Sequence, residues 1–313
     1  MVASDQLSNV IPDRCFLCGK PFRVHPSVNC GDAVCPHCGV LVWPLKERKT
    51  FAFVPRSQFG NVYLCRSSAN GRLCRVLNLA PIRCQDQNLT DLIVRNAGLF
   101  KTIRHENLLN VVAVGSTDER PFVAMEHEDG LSLWSWLQRV RRLSTGDAVN
   151  VLLQCANALK AIHDARLIHR FVSVDNVIVG RHGRVRLSPG APLHAGGGLK
   201  FPEAGNRITS GQASGFRRTA SSSDVYALGV MLYTVLTGQR PCQHDSNLTP
   251  YSDSVDDMTR SLCSTDPAIS EALRNTIVCV LDADPAVRPD VTTFFEQLRE
   301  TALANQHLTF LSQ

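Results

Sequence analysis

Residues 223–233 read Ser-Asp-Val-Tyr-Ala-Leu-Gly-Val-Met-Leu-Tyr, a stretch with one charged side chain, that of Asp224. It opens the longest apolar run of the chain, 12 residues from Val225 to Leu236. A helix that is apolar all round belongs in the core of a large protein, whereas crossing a bilayer takes about 20 apolar residues. The stretch therefore predicts a buried helix at the centre of a globular domain, and no membrane segment.

Apolar periodicity divides the chain into a strand-rich half and a helical half. Strand-like runs bounded by turn residues occur at 51–54, 62–66, 73–79, 111–114 and 122–126. Apolar residues recur at helical spacing within 92–103, 148–162, 269–281 and 291–304. A Gly/Ser/Arg-rich interval occupies 195–223. With no internal repeat, this order predicts one β-rich lobe followed by one helical lobe.

Six segments resemble motifs of the Ser/Thr protein kinases, in the order and at the spacing of that family. They are the end of the glycine-rich loop (59–63), the segment after the αC helix (104–109), the approach to the hinge (121–126), the catalytic loop (168–177), the large-lobe helix (223–241) and the segment around Arg288 (284–289). The resemblance covers 51–301. It implies an α+β, bilobal protein-kinase-like fold with a small lobe at 51–126, a large lobe at 127–301 and a tail at 302–313.

Two of these motifs have structural roles in the family. The aspartate at the position of Asp224 holds the backbone of the catalytic loop, here around His169 and Arg170. The arginine at the position of Arg288 pairs with the glutamate of an Ala-Pro-Glu motif, which corresponds here to Glu203. The resemblance implies both contacts in the folded chain.

The residues that touch Mg²⁺-ATP in an active kinase are replaced. Phosphoryl transfer needs a carboxylate for the acceptor hydroxyl, ligands for Mg²⁺ and a cation for the phosphates. Phe171 stands at the catalytic aspartate, Ser173 at the lysine two residues on, and Pro189 lies in the Ser-Pro-Gly segment expected to match Asp-Phe-Gly. No acidic residue occurs within 176–202, so a shifted alignment does not supply the metal ligand.

The ion pair of the small lobe is replaced as well. Arg75 stands at the lysine of the third strand, and Asn96 stands at its glutamate partner on the αC helix. Of the phosphate-loop glycines Gly60 remains, and of the catalytic set Asn176, an amide ligand for metal, remains. Residues that hold the fold are kept while residues that bind Mg²⁺-ATP are not. This division indicates a pseudokinase, an inactive scaffold that binds a protein partner.

Two readings of the nucleotide site stay open. By resemblance, the positions that would contact ATP weakly are Gly60, Val62, Arg75, Met125, Glu126 and Asn176. One neutral amide holds Mg²⁺ poorly, so the sequence argues against magnesium. The alternative is an atypical active Ser/Thr kinase, in which Arg75 replaces the lysine and Asp175 replaces the catalytic aspartate.

Two Cys-x-x-Cys-Gly motifs lie near the N-terminus with 16 residues between the cysteine pairs. Each pair can place both thiolates on one tetrahedral ion, and the long gap falls in the range of zinc sites. The pattern resembles a zinc ribbon over 13–45, after a tail at 1–12. It predicts a structural zinc with the ligands Cys15, Cys18, Cys35 and Cys38, while Cys30, His25 and His37 are spare donors. Disulfides are the alternative.

The composition of the chain predicts its cellular compartment and bears on which partners it binds. A chain of 313 residues that is 44% apolar with a net charge of +5 excludes wholesale disorder. Twelve cysteines without a secretory signal predict a reducing, cytoplasmic location. Residues 1–50 carry six Lys or Arg against four Asp or Glu, a balance that does not favour the further alternative of a nucleic-acid-binding ribbon.

Overall fold

The computed structural model describes residues 33–34, 41–42, 49–57, 60–66, 72–79, 87–117, 120–189, 221–239, 241, 255–266, 269–282 and 284–304. The four predicted zinc ligands and Glu203 lie outside these residues. The chain forms two compact units, Met1–Val94 with Val111–His127, and Arg95–Asn110 with Glu128–Gln313. It therefore passes from one unit to the other at three points, after residues 94, 110 and 127.

The first unit is built on a five-stranded antiparallel sheet. The strands of this unit are β1 (Ala33–Val34), β2 (Leu41–Val42), β3 (Lys49–Ser57), β4 (Gly60–Arg66), β5 (Leu73–Leu79), β6 (Val111–Thr117) and β7 (Arg120–Glu126). Strands β1 and β2 pair with each other, and the remaining five follow the order β3-β4-β5-β7-β6. This is the antiparallel small-lobe sheet that the sequence predicts.

The middle strand of the sheet, β5, is buried on both faces. Four consecutive side chains from Cys74 to Leu77 are buried, and Cys74 and Val76 pack with Ala124 of β7 in one apolar cluster. The register of β5 and β7 places Arg75 opposite Met125. A guanidinium group is thereby enclosed in the first unit, at 4% exposure of the residue.

Helices dominate the second unit. The α-helices within the described residues are α1 (Gln87–Phe100), α2 (Leu133–Val140), α3 (Thr145–Asp164), α4 (Ser221–Thr237), α5 (Val255–Thr265), α6 (Glu271–Val280) and α7 (Val291–Ala304). Serine hydroxyls cap α2, α3 and α6, because Ser132, Ser144 and Ser270 each accept a hydrogen bond from the N–H three residues on.

Helix α4 is the predicted central helix. Every residue from Asp224 to Leu236 is buried, in agreement with its all-round apolar pattern. Gly229 lies against α6, where an added Cβ would overlap Cγ2 of Val280, so a larger side chain would force the two helices apart. Across the described residues, no helix combines the length and apolar character needed to cross a bilayer.

Three short strands and two helices of the second unit, α2 and α5, were not predicted as elements from the sequence. Strands β8 (Gly130–Ser132), β9 (Val177–Gly180) and β10 (Val185–Leu187) form an antiparallel sheet in the order β10-β9-β8. Runs of three or four residues are too short to show a period, and α5 has a mainly polar sequence. This small sheet matters for the site, because β9 follows the predicted catalytic loop and β10 leads into Ser188.

Candidate active site

Asp224, in the first turn of α4, anchors the predicted catalytic loop. Its side chain is 2% exposed and accepts three hydrogen bonds. The N–H of His169 donates to Oδ2 at 2.7 Å, the N–H of Arg170 donates to Oδ1 at 2.8 Å, and Nε2 of His163 lies 2.9 Å from Oδ2. The expected contact of Asp224 with this loop is therefore confirmed.

The anchor holds a backbone that would otherwise be unfavourable. Arg170 has a φ of 71°, in the left-handed region that costs a non-glycine residue about 1–2 kcal/mol. Because both neighbouring N–H groups point at the Asp224 carboxylate, the charge-assisted hydrogen bonds offset this cost. The turn at Arg170 therefore depends on a side chain that is 54 residues away in sequence.

His169 is locked in one neutral form. Its Nδ1 accepts a hydrogen bond from the N–H of Phe171 at 3.2 Å, so Nε2 carries the proton and donates to the carbonyl oxygen of Ser188 at 2.6 Å. Burial lowers the pKa of this fully enclosed imidazole, against an opposing effect of Asp224. His169 therefore serves as a structural link and is shielded from any substrate.

Two of the predicted degenerate positions, Phe171 and Ser173, meet the retained Asn176 in the loop. Nδ2 of Asn176 donates to the carbonyl oxygen of Phe171 at 2.6 Å, and the N–H of Asn176 donates to the carbonyl oxygen of Ser173 at 3.0 Å. Phe171 is 8% exposed and presents hydrocarbon where an active kinase presents a carboxylate. The amide nitrogen of Asn176 closes the loop, and Oδ1 is the acceptor atom of this amide.

Ser188 is the residue that the fold brings to the loop from β10. It is fully buried, its N–H donates to the carbonyl oxygen of Asn176 at 2.7 Å, and its own carbonyl oxygen accepts from His169. Set against Asp-Phe-Gly, the segment Ser188-Pro189-Gly190 places serine at the metal-binding aspartate. Pro189, which the sequence analysis named among the degenerate catalytic positions, takes the middle place and is itself buried.

The predicted nucleotide contacts of the first unit lie on its sheet. Arg75 is paired across the sheet with Met125, which is fully buried, and Cys74 is paired with the half-buried Glu126. Nε of Arg75 donates to Nδ1 of His127 at 3.1 Å. The guanidinium is thus already engaged inside the first unit, with a histidine that sequence reasoning did not single out.

The remaining predicted contacts are backbone positions of β4. Gly60 lies opposite Leu79 and Val62 lies opposite Leu77 in the pairing of β4 with β5. Both residues therefore belong to the same sheet as Arg75, two strands from β7.

The donor set does not fit a kinase magnesium site. The side chains at the positions of the catalytic and metal-binding aspartates are those of Phe171 and Ser188, and Asn176 adds one neutral amide oxygen. Mg²⁺ in phosphoryl-transfer sites is held through carboxylates together with the phosphates. Within the described ranges, no group of three or more His, Cys, Asp or Glu residues is placed to hold a metal ion.

Several residues that organise this site escape sequence reasoning. His163 contacts the same carboxylate of Asp224 as the loop does. Asn107 joins the segment after α1 to α3 and β10. Its Nδ2 donates to Oε1 of Gln154 and to the carbonyl oxygen of Val185, each at 3.0 Å. Asn107 lies within 104–109, a segment that resembles the kinases, but the resemblance gave this residue no role. No spacing rule connects His163 with a carboxylate 61 residues away.

Comparisons with known proteins agree with the fold. Residues 52–191 match the family model described as protein tyrosine and serine/threonine kinase. The chain is 27% identical to the serine/threonine-protein kinase Pkn1 of Myxococcus xanthus over 320 aligned positions, which cover 93% of this chain and 45% of that protein. It is 25% identical to the probable serine/threonine-protein kinase PknB of Lactococcus lactis over 190 positions, 59% of this chain and 30% of that protein. The chain thus spans less than half the length of these curated relatives.

A solved structure has the same architecture. The kinase domain of Mycobacterium tuberculosis PknI matches with a TM-score of 0.66 at 20% identity, over 83% of this chain and 98% of that chain. At this identity the likeness establishes the bilobal protein-kinase-like fold. The family-model match over residues 52–191 and the Ser/Thr kinase relatives agree with this fold.

Proposed function

We propose that this chain is a catalytically inactive kinase-like domain that acts as a binding or regulatory scaffold. The observation that carries the proposal is the composition of the catalytic loop, where Phe171 and Ser188 stand at the two aspartates while Asp224 and His169 still hold the loop in shape. The contacts that hold the loop are present among the described residues, while Phe171 and Ser188 carry no carboxylate. A binding function needs a stably folded surface and does not need reactive groups.

The physical reason for inactivity is electrostatic. The transferred phosphoryl group carries negative charge over its oxygens in the transition state, and Mg²⁺ together with a lysine ordinarily neutralises that charge. Phe171 offers no acceptor for the proton of a substrate hydroxyl, and Ser188 offers a neutral hydroxyl in place of a carboxylate. Arginine is not an equivalent of lysine, because its guanidinium is a rigid fork, and Arg75 already donates to His127.

Phosphoryl transfer is expected to be negligible in the native chain. Incubation with radiolabelled ATP and generic protein substrates should give no more label than Asn176→Ala, the variant that lacks the remaining amide ligand. Phe171→Asp should not restore transfer, because the metal-binding carboxylate is still missing at Ser188. Robust transfer by the native chain that is lost in Asn176→Ala would contradict the proposal and support an atypical kinase that uses Arg75 and Asp175.

Nucleotide binding, if retained through the positions Gly60, Val62, Arg75, Met125, Glu126 and Asn176, is expected to be weak and independent of magnesium. A ligand that binds only the folded state raises stability by RT ln(1 + [L]/Kd), so a thermal-shift assay reports it directly. The melting temperature with millimolar ATP should be the same with Mg²⁺ and with EDTA. A shift that appears only with Mg²⁺ would show that a metal site exists.

The N-terminal segment is proposed to be a structural zinc ribbon. The support lies in the sequence position of the second cysteine pair, since Cys35 and Cys38 fall between strands β1 and β2, which pair antiparallel. Four thiolates would fill the coordination of zinc and leave no open position for catalysis. A protein partner and a cytoplasmic location remain part of the proposal, and nucleic acid does not.

A further inference from the structure

A buried arginine outside the candidate site joins two distant segments of the second unit. Arg186 of β10 is 6% exposed, and its neighbours in the strand, Val185 and Leu187, are buried and apolar. A charged side chain is therefore enclosed in an otherwise apolar strand. Its Nη1 donates to Oε2 of Glu128 at 3.2 Å, and its Nη2 donates to the carbonyl oxygen of Leu108 at 2.7 Å. The Glu128 side chain is 15% exposed, so both charges are largely removed from water.

A buried ion pair is a weak source of stability, because desolvating two charges offsets most of their attraction. An apolar side chain at position 186 would fill a strand whose other residues are buried and apolar. The arginine instead supplies directional bonds to two partners 58 and 78 residues away in sequence. Its value therefore lies in the geometry that it imposes on those partners.

Both partners lie where the chain passes between the two units. Glu128 is the first residue of the second unit after the passage at residue 127, and Leu108 lies two residues before the passage at residue 110. Arg186 thus fastens two of the three connecting segments to β10, inside the second unit.

Leu187 and Ser188, which follow Arg186, link the connecting segments to the catalytic loop through hydrogen bonds of their backbone groups. The N–H of Leu187 donates to the carbonyl oxygen of Asn107 at 2.8 Å, and its carbonyl oxygen accepts from the N–H of Leu109 at 2.9 Å. Ser188 then bonds to Asn176 and His169. Three consecutive residues therefore contact the connecting segments at one end and the loop at the other.

We propose that Arg186, Leu187 and Ser188, here termed the relay segment, couple the conformation of the connecting segments to that of the loop at 169–176, with Arg186 as the clamp. A partner that displaces Glu128 or the segment at 107–109 then alters the support of His169 and Asn176, and a ligand at the loop alters the connections. The coupling uses only groups of the second unit and holds whether or not the domain transfers phosphate.

Hydrogen exchange of the full-length chain under native conditions tests this coupling. In Arg186→Met, the amides of Leu109 and Ser188 should exchange about tenfold faster or more, as loss of charge-assisted hydrogen bonds predicts. The amide of Phe294 in α7, which donates to the carbonyl oxygen of Asp290, serves as the internal reference and should not change. Arg184→Met is the matched control, because Arg184 is exposed two residues away and should leave all three amides unchanged.

Three results would overturn the proposal. Faster exchange at Leu109 with no change at Ser188 would show that the two ends are not coupled. Equal acceleration at Leu109, Ser188 and Phe294 would show a general loss of stability, and unchanged exchange at all three would show that Arg186 is no clamp. If Arg186→Met does not fold, Arg186→Lys replaces it in the same test, since one ammonium group cannot reproduce the two-partner fork.

Discussion

Replacing Asp224 with alanine is expected to lower the free energy of unfolding by about 3–5 kcal/mol, the largest effect of any single substitution considered for this domain. The variant removes the acceptor of the N–H groups of His169 and Arg170 and of Nε2 of His163. It also leaves Arg170 in the left-handed region without the bonds that hold it there. Because whole domains are stable by about 5–15 kcal/mol, a loss of this size brings the fold near its limit.

Urea unfolding followed by far-UV circular dichroism measures the loss. Asp164→Ala is the matched control, because Asp164 is an exposed carboxylate next to His163 on α3 and should cost less than about 0.5 kcal/mol. Should Asp224→Ala fail to accumulate, Asp224→Asn keeps the size of the side chain and one acceptor oxygen, and an intermediate loss is expected. Similar values for Asp224→Ala and Asp164→Ala would refute the role of Asp224 as the anchor of the loop.

Zinc content gives the second large effect. Purified protein is expected to carry about one zinc per chain, and Cys35→Ser is expected to lose most of it, because a thiolate of an S₄ site has no equivalent in a hydroxyl. Structural zinc in small modules contributes about 10–16 kcal/mol of apparent binding free energy, which is also their folding free energy. Loss of zinc should therefore expose residues 13–45 to protease while the kinase-like domain stays folded.

Elemental analysis and limited proteolysis check both statements on the full chain. Cys263→Ser is the control, since Cys263 is an exposed free thiol of α5 and should retain the zinc. Protein that contains no zinc after growth in ample supply would exclude the ribbon. Zinc that persists in Cys35→Ser would instead assign one of the spare donors, Cys30, His25 or His37, as a ligand.

The elements of the fold were predictable wherever a pattern was long enough to show its period. Helix α4 is apolar all round and is buried all round, and the strands of the five-stranded sheet agree with their apolar runs. Strands β8, β9 and β10 were not predictable in this way, because a strand of three or four residues forms only where a neighbour offers its backbone. Their pairing depends on tertiary contacts.

Part of the candidate site was also predictable from the sequence. The identities of Phe171, Ser173 and Asn176 are properties of single positions, and a resemblance in order and spacing was enough to assign them to one loop. The contact between Asp224 and that loop followed from the same motif. The predicted pairing of Arg288 with Glu203 is not tested, because Glu203 lies outside the described residues. In the structure, Nε of Arg288 donates to the carbonyl oxygen of Asp282 at 2.7 Å, and its guanidinium lies 4.3 Å from the ring centre of Tyr226.

The residue types at the reactive positions and the segments that must be buried thus follow from the amino-acid sequence. The tertiary structure alone decided which buried polar groups meet: Arg75 with His127, His163 with Asp224, and Arg186 with both Glu128 and Leu108. The physical reason is that burial is a local, non-directional preference recorded in the run of side chains. A hydrogen bond depends on distances of about 3 Å between residues far apart in the chain, which only the packed fold establishes.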